Sequence, residues 1–599
     1  MELDEVAKQI TALASFPKNA TFDLASAVGV MQHHDAITGT QVQEVEKDYH
    51  KSLSAGILEA ITQVSSALTN LLGLEEDISL SYCPLANVSI CQDSKKDNFR
   101  VLLYNPLGRT VSHYVQIPVD AGTWTVTDPD GRAVTNYLYN PVRSFQFVAD
   151  DIDQSLNEKV LMFMAENLPP LGYKIYEFAR TAELPSMPIN SAHDNLRVPT
   201  IVGYENNYVV LDGTTGFVIT MAINGIEVNV TPKVMFYYSD WGSGTYMFKP
   251  DVNRRDPVPF SDKVENQITH NVVSAEIKQE MRDWGVLTIR IYPDTDYIEI
   301  DWLAGPIDVG DESGKDVIIK YTTDLETNGI FYTDSNSREL IKRQRNYRPT
   351  FEYTNGEPQS GNYYPITSRM VIKDKNKNIE FAVITDRAEG GSSLNDGEIE
   401  LMVHRSTLRD EFGEHLYEME YGTGLVARGS HYITFGPSNN SDAARSPSYV
   451  QRDIAIKKHL PPLMLFPQNP ISEKTKSYLS TELPENIHLL TLEKWSDKDN
   501  TYLIRLEHFL EKNDDIDLSK EVEIDLENLF TLFRIVSAHE RTLNGVTALN
   551  DVTKLQWPQL NKLGLSNKTP TMRESSEFKI TLAPMQIRTF VVTIEPIFC

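Results

Sequence analysis

Apolar residues recur every three or four positions over the first 78 residues and every second position after that. Leu3, Val6, Ile10 and Leu13 fall on one helix face, and Pro17 and Asn19 break it. Asp23 is the predicted N-cap of a second helix, with Leu24, Val28 and Met31 facing inward and Gly39 as its stop. Val42, Val45, Tyr49, Leu53, Ile57, Ile61, Val64, Leu68 and Leu71 keep one stripe for about eight turns of a third helix. Three antiparallel helices of this kind predict a bundle.

Beyond Leu74 the pattern is that of strands and turns. Trp124 to Thr127 reads as a strand and Asp128-Pro-Asp-Gly131 as a turn. Val286 to Ile291 and Tyr297 to Trp302 alternate on either side of another turn, and Arg588 to Ile594 closes the chain as a strand. The expected fold is α+β and multidomain: an N-terminal three-helix bundle (1–78) and several antiparallel β-sandwich domains. The β region divides into a small domain (79–185), a large sandwich (186–445) and a C-terminal domain (446–599). Linkers are expected at Leu184 to Pro188, near Pro437 to Pro447, and at Pro461 to Pro470.

Composition narrows the functions open to the chain. At 599 residues it is too long for one core. Its net charge of −28 repels a phosphate backbone, so nucleic acid is not an expected partner. The run Lys342-Arg-Gln-Arg345 reads as a solvated loop or strand end. An acidic chain suits an acidic compartment. No stretch of about twenty apolar residues predicts a membrane span. The start, Met1-Glu-Leu-Asp-Glu5, lacks the charge pattern of a signal peptide. Other features favour the secretory pathway. Cys83 and Cys91 are spaced for a small disulfide loop, and Cys599 is left over. Glycosylation sequons begin at Asn19, Asn87, Asn229, Asn439 and Asn567, and Asn87 lies between the two cysteines. The expected reading is a secretory-pathway protein whose N-terminus is missing from this chain.

The most informative chemistry is His33-His34-Asp35. On a helix, neighbouring residues point about 100° apart, which puts His34 on the inward stripe and His33 off it. Spacing alone favours a hydrogen-bonded core histidine over a metal ligand. The functional reading has His34 offering a neutral imidazole to Zn²⁺ with Asp35 facing a cavity, and a catalytic zinc needs about three protein ligands. No further ligand set stands out by spacing. Gly390-Gly391 lies in an expected loop, and neither a nucleophile elbow nor a phosphate-binding loop is present.

The run Val30-Met-Gln-His-His-Asp-Ala-Ile-Thr-Gly-Thr40 resembles the His-His-Asp-Ala signature of the α-mannosidases of glycoside hydrolase family 38. Segments similar to the lysosomal branch follow in order. They include Leu103 to Arg109, Gly329 to Asn336, Gly361-Asn-Tyr-Tyr-Pro365, Thr385 to Leu394, Leu401 to Arg405, Leu503 to His508 and Met585 to Phe590.

The resemblance implies an N-terminal α/β catalytic domain, a helical bundle and β-domains. It implies retaining hydrolysis of terminal α-mannosides of glycoprotein N-glycans. It makes His34 the zinc ligand of an incomplete one-ion site, Asp35 a contact of the sugar, and His33 a neighbour of secondary importance. It places a sugar-contacting tyrosine on Tyr364, with Tyr363 as the alternative, and offers Arg505 as a further contact. It implies a Cys83–Cys91 disulfide, a lysosomal location and an α-mannoside oligosaccharide substrate, with a homodimer as a candidate assembly. The family's His-x-Asp-Pro-Gly-Trp and Ile-Asp-Pro-Phe-Gly segments do not occur here, so the nucleophile and acid/base are expected in an N-terminal catalytic domain outside this chain, and the isolated chain is expected to be inactive. The competing readings are a non-catalytic carbohydrate-binding or assembly protein and a cytosolic mannosidase-like protein.

Overall fold

The computed structural model describes residues 2–74, 79–141, 156–181, 198–281, 284–354, 356–408, 424–438, 445–498, 500–553 and 578–597, with the backbone of 192–193. Helix α1 (Glu2–Leu13) buries Val6, Ala7 and Ile10, as its spacing predicts. Helix α2 (Phe22–Val30) is shorter than the sequence reading. Its N-cap is Thr21 rather than Asp23, which sits in the first turn, and it ends nine residues before Gly39. Helix α3 (Gln43–Leu71) is a straight run of 29 residues.

The stripe on α3 is used unevenly. Its C-terminal half buries Ala60, Val64, Ala67 and Leu68, whereas Val42 and Val45 at its start are exposed. Gly56 marks the closest approach of α2. A Cβ there would stand 2.7 Å from the Leu24 Cα, so only glycine admits the two backbones at this spacing.

Among the described strands every ladder is antiparallel. The first β-unit sets a seven-stranded sheet, built on Asn98–Asn105 and Gly172–Thr181, beside a three-stranded sheet of Val111–Val119, Lys159–Leu168 and Asn136–Tyr139. Two strands from far down the chain complete the larger sheet. Leu463–Pro467 pairs with Asn98–Asn105, and Thr475–Ser477 pairs with Gly172–Thr181. The sequence reading places this stretch in the last unit. Apolar alternation identifies a strand but carries no information on its partner across several hundred residues.

The large sandwich opposes a nine-stranded and a ten-stranded sheet around their own core, with Phe236, Ile319, Ile300, Val383 and Ile433 fully buried. Within it, Glu389–Ser392 is a strand paired to Tyr364–Ile366 and Glu398–Ser406, not the loop expected around Gly390-Gly391. Small residues fit there because Ile366, Leu401 and Met370 crowd the Gly391 position. The basic run 342–345 ends the sheet-edge strand Glu339–Gln344.

Among the described residues one α-helix interrupts the expected all-β region: α4 (Pro447–His459). Ser446 caps it by accepting the Tyr449 N–H at 3.1 Å, Pro447 opens the first turn, and Lys457, Lys458 and His459 close the last. The C-terminal unit adds a four-stranded and a two-stranded sheet. The helical bundle, the first β-unit and the C-terminal unit share one continuous core, in which Ile10, Leu68, Leu103, Ile175, Leu465, Leu489 and Ile504 are all buried. Among the described residues no helix is long and apolar enough to cross a membrane.

Candidate functional site

α2 stops at Val30, and the chain then winds through short turns to Thr40. The His33 N–H donates to Val30 O, those of Ala36 and Ile37 to His33 O, and that of Thr40 to Asp35 O. His33, His34 and Asp35 therefore lie in a turn and not on the inward face of a helix. This overturns the expectation of a core histidine. His34 is the most exposed of the three, with 84% of its side chain accessible.

Leaving the helix also removes the angular argument that set the two histidines apart. Their rings lie 4.4 Å apart between centroids. The Nε2 atoms of His33 and His34 stand 3.1 and 3.6 Å from Asp35 Oδ2. One ligand atom from each residue falls within 4.8 Å of the others, a grouping able to hold a metal ion. His33 is thus as close to the carboxylate as His34 is. The Thr40 hydroxyl donates to Asp35 Oδ1 at 2.8 Å. That bond first, and then the two imidazoles, hold the Asp35 carboxyl below the usual carboxylate range. Phe22, Val30, Ile37, Val42 and Val45, on the same two helices and turn, are exposed apolar residues.

The other sequence-derived positions sit on different elements. Tyr364 opens a strand of the large sandwich, its ring under Arg343 at 4.1 Å and Arg348 at 5.3 Å. Tyr363 turns the other way, and its hydroxyl donates to Glu400 Oε1 at 2.6 Å. Arg505, in the C-terminal sheet, donates to Leu543 O and Thr491 Oγ1 and lines a shallow cavity with them. Cys83 and Cys91 are joined, as the resemblance implied. Asn19, Asn87 and Asn229 are exposed, whereas Asn439 and Asn567 lie outside the described residues. The Asn229 amide donates to Asp324 Oδ2 at 3.0 Å.

Two polar clusters escaped the sequence reading. Glu400 is buried on Glu398–Ser406, where it accepts from both Tyr363 and Tyr237, and burial pushes its carboxyl up to about 7. Its setting Glu398-Ile-Glu-Leu401 reads as an ordinary solvent-facing alternation. The second cluster centres on Arg290, which meets Glu276, Glu299 and Asp301 in a buried ion network that also takes in Lys458 of α4. Arg290 and Glu299 are on neighbouring strands of one hairpin, a cross-strand pairing visible only once the register is known.

Three family models match the chain. Residues 2–71 match the alpha mannosidase middle domain, 204–412 the glycosyl hydrolases family 38 C-terminal domain, and 486–590 the glycosyl hydrolases family 38 C-terminal beta sandwich domain. The lysosomal alpha-mannosidase of Homo sapiens is 34% identical over 99% of this chain and 59% of its own length. The alpha-mannosidase of Canavalia ensiformis is 30% identical over 96% of this chain and 62% of its own length. The chain thus spans less than two thirds of these curated relatives. The crystal structure of an alpha-mannosidase from Enterococcus faecalis V583 superposes with a TM-score of 0.59 at 13% identity, covering 98% of this chain and 66% of that one, which shows a shared fold.

Proposed function

This chain carries the middle, C-terminal and C-terminal β-sandwich domains of the family 38 α-mannosidases, and from that premise we propose that it supplies one wall of a zinc-dependent, retaining α-mannosidase site for terminal mannose of glycoprotein N-glycans. The observation that carries this reading is the convergence of His33, His34 and Asp35 within 4.8 Å on an exposed turn.

The donor chemistry fits zinc: two imidazoles and a carboxylate suit its nitrogen and oxygen preferences, and the exposure of His34 leaves room for ligands from elsewhere. Zinc held there would supply Lewis-acid polarisation of sugar hydroxyls. His34 is the ligand in this reading. His33 steers Asp35 and is a second candidate donor. Asp35 stays ionised because Thr40 and the imidazoles favour its charge, so it accepts hydrogen bonds from sugar hydroxyls. Tyr364, held under two guanidinium groups, is the better placed of the two tyrosines to meet substrate, since the Tyr363 hydroxyl is taken by Glu400. Arg505 contributes a guanidinium from an inner strand of the C-terminal sheet, at the wall of a shallow cavity. The nucleophile and acid/base would come from outside the chain. A lysosomal setting is supported by the names of the relatives and by the Cys83–Cys91 bond.

Titration of the full 599-residue chain with zinc, followed by calorimetry, tests this reading. His34→Ala is expected to weaken binding at least tenfold and Asp35→Asn several-fold. Equal zinc affinity in the parent chain and both variants sinks it. In parallel, the isolated chain is expected not to turn over an aryl α-mannoside at acid pH with zinc added.

A further inference from the structure

One cavity of the structure is remote in sequence from the His-His-Asp turn. It encloses about 710 Å³ where three parts of the chain meet. The strand Val111–Val119 of the first β-unit contributes His113 and Tyr114. The ten-stranded sheet contributes residues of Gly285–Ile291, Ile298–Ala304 and Ala427–Pro437. The last turn of α4 contributes Lys458. A volume of this size suits a small ligand with a few convergent polar groups.

The charges of the lining cancel. Glu299, Asp301 and Asp386 face Arg387, Arg428 and Lys458. Such a wall discriminates against a net ion of either sign and favours a neutral ligand that both donates and accepts hydrogen bonds. Two carboxylates reach the cleft wall with partners already in place, and Asp386 accepts Nε and Nη2 of Arg387, each at 2.9 Å. Asp301 Oδ1 accepts the Ser430 hydroxyl at 2.6 Å and its Oδ2 accepts Arg290 at 2.9 Å, yet a third of the side chain remains accessible. The Ser430 N–H donates to Asp386 Oδ2 at 3.0 Å, which ties the second carboxylate to the same strand. Arg387, on the exposed side of Asp386, lies 5.6 Å over the Trp302 ring. Tyr114, stacked 3.9 Å from Tyr292, adds a flat apolar wall. Trp302 keeps a buried indole N–H with no partner among the described residues. Paired carboxylates, a guanidinium and aromatic surface together are the chemistry that grips a sugar: hydroxyls to the charged groups, C–H faces to the rings.

We propose that this cleft is a second carbohydrate site, taking a neutral, hydroxyl-rich ligand such as a short stretch of oligosaccharide. It is separate from the cleavage-site reading and does not depend on it. Burial also keeps His113 neutral, its pKa pushed down to about 3, so it adds a hydrogen-bonding group without a charge.

The sugar has two sources, because Asn87, an exposed sequon residue, also lines the cleft. It is either a glycan attached to Asn87 or a free oligosaccharide. Both are tested on the full chain by calorimetric titration with α-1,2-mannobiose in a chelating buffer, so that the outcome of the zinc titration has no bearing on it. The Asn87→Gln chain, free of a glycan there, is expected to bind the disaccharide. Arg387→Ala, at a half-exposed position that tolerates truncation, and Asp301→Asn are each expected to weaken that binding at least fivefold. If the glycosylated parent chain binds as the Asn87→Gln chain does, the ligand comes from solution. If only the Asn87→Gln chain binds, the attached glycan holds the cleft. Absence of binding by the Asn87→Gln chain, or binding indifferent to both cleft substitutions, overturns the proposal.

Discussion

The turn after α2 and the cleft between the β-units use the same side chains to opposite ends. At the turn, about a third of the Asp35 side chain is accessible, and a threonine hydroxyl and two imidazoles lower its pKa. In the cleft, Asp301 is about as accessible but sits among other carboxylates, and desolvation by the packed walls raises its pKa in spite of Arg290. His34 stands out in solvent, whereas His113 is half-buried in the cleft wall and desolvation holds it neutral. Residue type thus sets what a group can do, and burial sets which form of it is present. The turn presents charge for an incoming ligand. The cleft has already spent most of its charge on itself, and what it offers outward is neutral on balance.

Removing Arg290 should break the comparison on the buried side. Arg290→Met strands Glu276 without its cation and leaves Glu299 to Lys458 alone, and is expected to lower stability by about 3–5 kcal/mol, read by urea denaturation. The zinc affinity of the surviving folded chain should not change. The disulfide comes next. Cys83→Ser with Cys91→Ser opens a loop of eight-residue separation that carries Asn87 to the cleft mouth, and is expected to cost about 2–3 kcal/mol in the same assay.

Gly56→Ala tests the exposed side through its support. The new methyl meets the Leu24 backbone at 2.7 Å, so α2 must move, at a cost of about 1–3 kcal/mol. Because the His-His-Asp turn hangs from α2, zinc affinity should fall with it. A stability loss with unchanged zinc affinity breaks that link.

Glu400 sharpens the contrast with an acid that is buried without a direct cationic partner among the described residues. Its folded pKa is raised to about 7 from 4.5, so between those values the folded chain holds a proton that the unfolded chain has released. The contribution of this group is therefore fully present below about pH 4.5 and is lost as pH rises to about 7, by at most about 1.4 kcal/mol per pH unit. Glu400→Gln should flatten that slope in denaturation measured from pH 4.5 to 7. The smallest effect is expected at Thr40. Thr40→Val removes the leading cause of the lowered Asp35 pKa, so the carboxyl should titrate at higher pH by NMR, with no measurable change in stability.

Much of this was readable from the chain. Period-three-to-four spacing located α1 and α3, and period-two spacing located the hairpin 285–304 and the final strand. α4 was missed although Ser446-Pro447 is a sound helix start, because its surroundings look like a polar linker. The return of residues 463–477 to the first β-unit was not readable, since the strand pattern names no partner.

The sequence by itself determined the bundle, the β character of the rest, the cysteine pair and the His-His-Asp triplet, because these rest on local spacing or on short runs of residues. Tertiary structure decided how the triplet is used: ending α2 at Val30 turned an apparent core histidine into an exposed donor beside its neighbour. It also decided which acids are buried. Glu299 and Glu400 sit in strands whose alternation resembles that of solvent-facing ones, and only the packing of a second unit or loop over them takes their charges out of water.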